Sequence, residues 1–201
     1  MIKRFFDAAL SAIGLALSAP LWLLIPALIK LEDGGPVFFP QARVGRDGRV
    51  FKALKFRSMV PDADRRFGPV QAREHDPRVT RIGRLLRATA MDELPQLLNI
   101  VKGDMSFVGP RPLVPGEVDV RGDGTLVPLD AIAGYRERHS VRPGLTGLTQ
   151  VYAPRDIARA GKFRLDRLYL RRASLLLDLK LILLSFSITA RGRWEARGSK
   201  F

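Results

Sequence analysis

Asp92 and Glu93 stand side by side, followed by Leu94 and Pro95. Proline is favoured in the first turn of a helix. The pair is therefore expected at the start of a helix that carries Leu97, Leu98, Ile100 and Val101 and ends at Gly103. There the macrodipole and free amides lower a carboxylate pKa and also attract phosphate. Adjacent helical positions diverge by about 100°, so the two carboxylates are not expected to share one proton. They suit separate tasks, one as nucleophile and metal ligand, the other in proton handling. Acidic residues at a helix start are also ordinary caps, and the pair alone does not choose between the readings.

Cations supply the complement. Arg111 lies between Pro110 and Pro112, and proline stiffening reduces the entropy lost in fixing a guanidinium on a phosphate. Arg87 precedes Asp92 by five residues, Lys55 falls on an expected hairpin, and Arg142 adjoins Pro143-Gly144. A carboxylate with Arg, Lys and a divalent cation is equipment for phosphoryl transfer. The chain has no GxxxxGK[ST] or GxGxxG run, so nothing supports a P-loop or dinucleotide fold.

Composition narrows the chemistry further. The chain has 201 residues, a net charge of +14, no cysteine, and only His75 and His139 as histidines. That excludes disulfide scaffolds, thiolate metal sites and cysteine nucleophiles, and disfavours a His-rich metal centre. The positive excess calls for an anionic partner. Residues 134–172 hold ten basic and three acidic residues, and residues 43–66 hold eight and three. A nucleic-acid binder would interleave aromatics with these cations. Only 8% of residues are aromatic, and several lie in the apolar N-terminal stretch, so no nucleic-acid partner is expected. A non-catalytic membrane-anchored scaffold is the other alternative, which the intact Asp92-Glu93 pair and Arg111 oppose.

The mean hydropathy is zero in a chain this charged, so its apolar residues must be segregated. Ala8 to Ile29 is a 22-residue run without a charge, long enough to cross a bilayer. Pro20 and Pro26 each remove an amide hydrogen, so a helix through them must kink or break. Basic residues flank both ends of the run, which fits a hairpin that enters one leaflet and returns; an ordinary kinked span fits the charges and prolines equally well. Ala173 to Ala190 is apolar at helical spacing but contains Asp178 and Lys180, which suits a helix lying at the interface or packed on the core.

Between these ends the body reads as one domain. Val37–Phe39 and Val50–Phe56 are expected as strands joined across Arg46-Asp47-Gly48-Arg49. Helices are expected to open at Pro61-Asp62-Ala63-Asp64 and, capped by Thr80, to run from Arg81 to Ala88. Residues 113–134 look the least ordered.

Four motifs in order carry a resemblance over almost the whole chain: Lys55-Phe56-Arg57-Ser58-Met59, Met91-Asp92-Glu93-Leu94-Pro95-Gln96, Gly103 to Pro112, and Arg142-Pro143-Gly144-Leu145-Thr146-Gly147. The chain resembles the bacterial sugar transferases known as small monotopic phosphoglycosyl transferases. The resemblance implies transfer of a sugar 1-phosphate from a UDP-sugar to polyprenyl (undecaprenyl) phosphate, with release of UMP. It implies Mg2+ and a covalent phosphosugar intermediate on Asp92, which would also contact the metal, with Glu93 as catalytic partner. Lys55, Arg87, Arg111 and Arg142 match phosphate- or substrate-binding positions. The implied fold is mainly α with a small β-hairpin (α+β). A re-entrant helix over residues 1–31, broken at Ser18 and Pro20, precedes a catalytic domain over 32–201 with a C-terminal interfacial helix. The implied setting is monotopic, in the bacterial inner membrane, with the active site facing the cytoplasm. The role implied is to start glycoconjugate or exopolysaccharide assembly, with membrane lipid as partner and homo-oligomers or downstream glycosyltransferases left open. Departures at Thr89-Ala90-Met91, Gly147-Leu148 and Tyr152-Ala153-Pro154 bear on sugar and nucleotide preference.

Overall fold

The computed structural model describes residues 2–61, 63, 76–120, 124–154 and 157–194. Helices α1 (Ile2–Leu17) and α2 (Leu21–Asp33) form a pair bent by 61°. Among the described residues no single helix is long and apolar enough to cross a membrane, while the bent pair has the required length and composition. The break falls at Ser18-Ala19-Pro20. Ser18 Oγ donates to the Leu15 carbonyl and accepts from Trp22 Nε1 at 3.1 Å, so one hydroxyl braces both sides of the bend. Of the kink or break expected at each proline, the break falls at Pro20 and not at Pro26. Pro26 sits inside α2, which forgoes one backbone hydrogen bond there.

Helix α1 inverts the usual arrangement of a surface helix. It buries Asp7 and Ser11 against the body and exposes Ile2, Phe5, Ile13 and Leu17. Asp7 accepts from the Phe107 amide at 3.1 Å. Arg4 donates to the Ile100 and Val101 carbonyls, at the end of α4 (Gln96–Lys102). Helix α2 is fastened too: Ile25 and Ile29 pack with Phe56 and Leu86. Glu32 accepts from the Arg81 and Ile82 amides that open α3 (Arg81–Ala88), while Thr80 caps it through the Gly83 amide at 2.9 Å. Asp33 pairs with buried Arg57.

The body is mixed α/β, and the described residues form three two-stranded sheets rather than the single hairpin expected. Strands β1 (Gln41–Val44) and β2 (Val50–Ala53) pair antiparallel, with Gln41 opposite Ala53 and Val44 opposite Val50. The first strand thus falls after Val37–Phe39, where the only pairing is an isolated bridge from Phe38 to Phe56. Pro40 lacks the amide that would continue the ladder. The second strand stops at Ala53, before Lys55. Strands β3 (Ser106–Val108) and β6 (Gly144–Thr146) pair in parallel. Their approach is close: a Cβ on Gly144 would lie 2.1 Å from the Gly109 nitrogen, which no side chain permits. Residues expected to be least ordered contain a second hairpin, β4 (Val118–Val120) with β5 (Leu126–Pro128). The helix expected at Pro61–Asp64 lies outside the described residues, save Pro61 and Ala63.

Helices α5 (Tyr135–Arg138), α6 (Leu148–Tyr152), α7 (Arg159–Arg172) and α8 (Leu175–Ala190) complete the body. The main core joins Ile100, Met105, Val108, Val151, Tyr169 and Leu181. Of the two placements its sequence suggested, helix α8 shows packing on the core. It buries Leu181, Ile182 and Ile188 in this core and exposes Leu176, Leu179, Leu183 and Phe186. Asp178 is buried in α8, where it pairs with Lys3 and accepts from Tyr169 Oη at 2.8 Å.

Candidate active site

Helix α3 ends at Ala88, and Ala90 then takes a left-handed conformation with φ 56°. A residue with a Cβ pays for that geometry, and such strain is held only where the surroundings fix it. Here it turns the chain into a single 3-10 turn, Met91–Glu93, that carries both carboxylates. The pair therefore stands one turn before α4, with Pro95 at the N-cap, rather than inside the first turn of the helix. The Phe56 amide donates to the Asp92 carbonyl at 2.8 Å, which holds the turn against the segment bearing Lys55. Asn99 of α4 fixes that segment from the other side: its Oδ1 accepts from the Leu54 amide at 2.9 Å and its Nδ2 donates to the Lys52 carbonyl at 2.8 Å.

The two carboxylates have opposite surroundings, although both are buried. Glu93 Oε1 accepts from Lys55 Nζ at 2.8 Å and from Arg111 Nη2 at 2.9 Å. Burial alone would raise its pKa, but the charges and hydrogen bonds of Arg111 and Lys55 outweigh that and hold Glu93 well below the usual carboxylate range. No hydrogen bond among the described residues engages the Asp92 carboxylate. Burial pushes it up to about 6, with Glu93 adding to the rise and Lys55, Arg87 and Arg111 opposing it. This reverses the lowering expected from a helix start, because the turn is desolvated and lies outside the helix. Separate roles for the two groups fit such divergent acidities.

Both carboxylates line a cleft of about 740 Å³ together with Lys55, Arg87 and Arg111. The loop that presents Arg111 is fixed at three successive carbonyls. Pro110 accepts from the Gly144 amide at 2.9 Å, Arg111 from Arg138 Nη2 at 2.5 Å and Pro112 from Arg43 Nη1 at 3.0 Å. The stiffness inferred from the two prolines is thus reinforced from outside the loop. Burial, with help from the charge of Arg111, lowers Arg43 to about 10. Arg138 is buried; its Nε donates to Asp166 at 2.9 Å and its guanidinium lies 4.7 Å from the Phe163 ring centre. Asp166 also accepts from Thr149 Oγ1 at 2.6 Å. His139 is pushed down to about 4 by burial and the charge of Arg138. With its Nδ1–H donated to the Tyr135 carbonyl, neutral His139 offers Nε2 to Arg138 Nη1.

Five of the six residues read as catalytic or phosphate-binding thus converge: Lys55, Arg87, Asp92, Glu93 and Arg111. Arg142 does not join them. Its Nε donates to the Gly103 carbonyl at 2.7 Å, closing α4 from outside the cleft. Ser18 and Pro20 lie in the helix break. Arg43, Asn99, Arg138 and Asp166 were not separable in the sequence from the general run of polar residues, since their importance comes from contacts distant along the chain. Among the described residues no cluster of three or more His, Asp or Glu could hold a metal unaided. The donor set fits Mg2+ bound by one carboxylate, water and a phosphate ligand, the manner usual for that ion.

The family described as bacterial sugar transferase matches residues 1–192. The chain is 40% identical over 196 residues to the exopolysaccharide production protein ExoY of Rhizobium meliloti, covering 90% of this chain and 82% of that protein. It is 43% identical over 188 residues to the UDP-glucose:undecaprenyl-phosphate glucose-1-phosphate transferase of Caulobacter vibrioides, covering 90% and 67%. It is 41% identical over 186 residues to the UDP-N-acetylgalactosamine-undecaprenyl-phosphate N-acetylgalactosaminephosphotransferase of Aeromonas hydrophila, covering 90% and 42%.

Proposed function

The chain belongs to the bacterial sugar transferase family, and from that premise we propose that it transfers a sugar 1-phosphate from a UDP-sugar to undecaprenyl phosphate, releasing UMP and starting exopolysaccharide or glycoconjugate assembly. The observation that carries this reading is the Asp92 carboxylate, engaged by no hydrogen bond among the described residues, in a cleft shared with Lys55, Arg87 and Arg111.

An Asp92 oxygen attacks the phosphorus that bears the sugar. The bond from that phosphorus to the bridging oxygen breaks, and UMP leaves with the bridging oxygen. An oxygen of the acceptor phosphate then attacks the same phosphorus and restores the Asp92 carboxylate, leaving a sugar diphosphate lipid. Arg87 and Arg111 offset charge on the phosphates. Glu93 stays ionised throughout, so it holds Lys55 and Arg111 in place rather than carrying a proton. Mg2+ held by Asp92 and the donor's diphosphate would neutralise phosphate charge when bound.

Relatives of nearly equal identity are named for glucose and for N-acetylgalactosamine, so the donor is to be found by a panel. Detergent-solubilised protein with Mg2+ and undecaprenyl phosphate is expected to release UMP from at least one UDP-sugar. Absence of release across the panel would overturn the reading.

The same reading places the α1–α2 pair in one leaflet of the inner membrane as a re-entrant hairpin, with the cleft on the cytoplasmic side. Its support is the inverted polarity of α1, the exposed apolar face of α8 and the basic flanks of the apolar run. A cysteine at Ile2 should resist a membrane-impermeant thiol reagent applied to intact cells whose outer membrane has been permeabilised. Efficient labelling would instead place that end across the membrane.

A further inference from the structure

Phe38 and Phe39 sit at the lip of the cleft and remain 47% and 37% exposed. They lie between Pro36 and Pro40 in a segment held in register with the catalytic turn. The Phe39 amide donates to the Lys55 carbonyl at 2.9 Å, Phe38 bridges to Phe56, and the Phe56 amide donates to the Asp92 carbonyl. Behind them runs an aromatic stack. The Phe38 ring lies 5.4 Å from that of buried Phe56 and 6.4 Å from Trp22 of α2, and Trp22 lies 5.6 Å from Phe56. Next to Trp22 in the chain, Leu23 and Leu24 are exposed on α2. The same helix thus carries exposed apolar residues and, through Trp22, backs the aromatic edge of a cationic cleft.

Exposed aromatic rings at that edge do nothing for phosphates, which Lys55, Arg87 and Arg111 attract. A ligand that is both phosphate and hydrocarbon would use both parts. We infer that Phe38 and Phe39, backed by Trp22, form the site for the isoprenoid chain of the acceptor, seating its units nearest the phosphate while the phosphate lies in the cleft. This rests on the transferase reading and adds to it the residues that would receive the lipid part of the acceptor. The arrangement selects for an apolar tail continuous with the phosphate, and the two prolines keep its walls from collapsing onto the cations.

The test separates the acceptor tail from two other occupants, the donor's uracil ring and bulk phospholipid. Full-length protein is assayed in vesicles of phosphatidylglycerol and phosphatidylethanolamine, with initial UMP release measured against each substrate. Phe39→Ser is expected to raise the apparent KM for undecaprenyl phosphate about tenfold, the equivalent of losing contact with about two methylenes, and to leave the donor KM within about twofold. Phe39→Leu should restore most of the loss. Phe38→Ser should act in the same direction, but its ring packs on Phe56, so a second measurement avoids reliance on folding. A photo-crosslinking benzoylphenylalanine at position 39 should capture labelled undecaprenyl phosphate, and excess unlabelled undecaprenyl phosphate should compete where the same amount of phosphatidylglycerol does not. A rise confined to the donor KM would make the lip a base platform. Capture displaced equally by phospholipid would make it a bilayer contact. Either result, or an active wild type whose acceptor KM Phe39→Ser leaves unchanged, overturns the inference, whereas an inactive wild type strikes the transferase reading itself.

Discussion

Asp92→Asn should abolish UMP release, lowering the rate by about a thousandfold or more, because an amide of the same shape is not a nucleophile. The substitution is unusually clean. Among the described residues the Asp92 side chain makes no hydrogen bond, so its replacement by an amide breaks none. Burial raises its pKa from 3.8 to about 6, so the folded protein holds this proton more tightly than the unfolded chain does. Asp92 therefore costs stability above pH 6, and the cost is relieved as pH falls through 6 toward 4. The Asn variant should melt no lower than wild type at pH 7.5 while being inactive, a combination that unfolding cannot produce. The wild-type rate should also fall on acidification below about pH 6, as the Asp92 carboxylate proposed to attack becomes protonated. A variant that keeps a tenth of the wild-type activity would remove Asp92 from the reaction.

Asp166→Ala should destabilise the protein by about 3–5 kcal/mol, the usual cost of leaving one member of a buried ion pair without its partner. Arg138 and Asp166 are both almost fully buried, at 3% exposure each. Arg138 cannot give up its charge, so its guanidinium must either draw water into the body or leave its place over Phe163. The second course withdraws Nη2 from the Arg111 carbonyl and loosens the loop between Pro110 and Pro112. Chemical denaturation should show the loss directly. Where enough folded protein survives, phosphate-dependent activity should fall too. Asp166→Asn, which keeps an oxygen for Arg138, should cost less. Equal stability for Asp166→Ala and wild type would mean that the pair carries no net weight.

Local rules and distant contacts divide what the sequence revealed. Thr80 followed by Ile82, Leu85 and Leu86 placed α3 at its observed bounds, because an N-cap and a 3.6-residue period act within one helix. Gly103 closed α4 for the same reason, with φ 96°. The Asp-Gly turn announced the first hairpin but not its extent, since the ladder of Gln41–Val44 is interrupted at Pro40 and resumes in the same register at the bridge of Phe38 with Phe56. The helical start expected at Asp92 ran into Ala90, whose left-handed backbone no propensity suggests. The pairing of β3 with β6 joins segments 38 residues apart, Ser106 to Gly144, and a three-residue strand gives no period to read. The site divides likewise. Asp92, Glu93 and the stiffened Arg111 were visible as residues of the right chemistry, and motif resemblance grouped them with Lys55 and Arg87. The supports of Arg111, supplied by Arg43 and Arg138, come from β1 and α5 and were hidden among 34 basic residues. Arg142, equally prominent in a motif, closes a helix instead.

The inward polarity of α1 has a consequence in time as well as space. Asp7 meets its partner 100 residues further along the chain, and Lys3 meets Asp178 after 175. At a synthesis rate of roughly 5–20 residues per second, those contacts wait on the order of ten seconds or more. Through that interval the apolar side of the helix is complete while its polar side has nothing to grip. Helix α1 is thus made well before the residues that hold its polar side, and its seating waits on theirs.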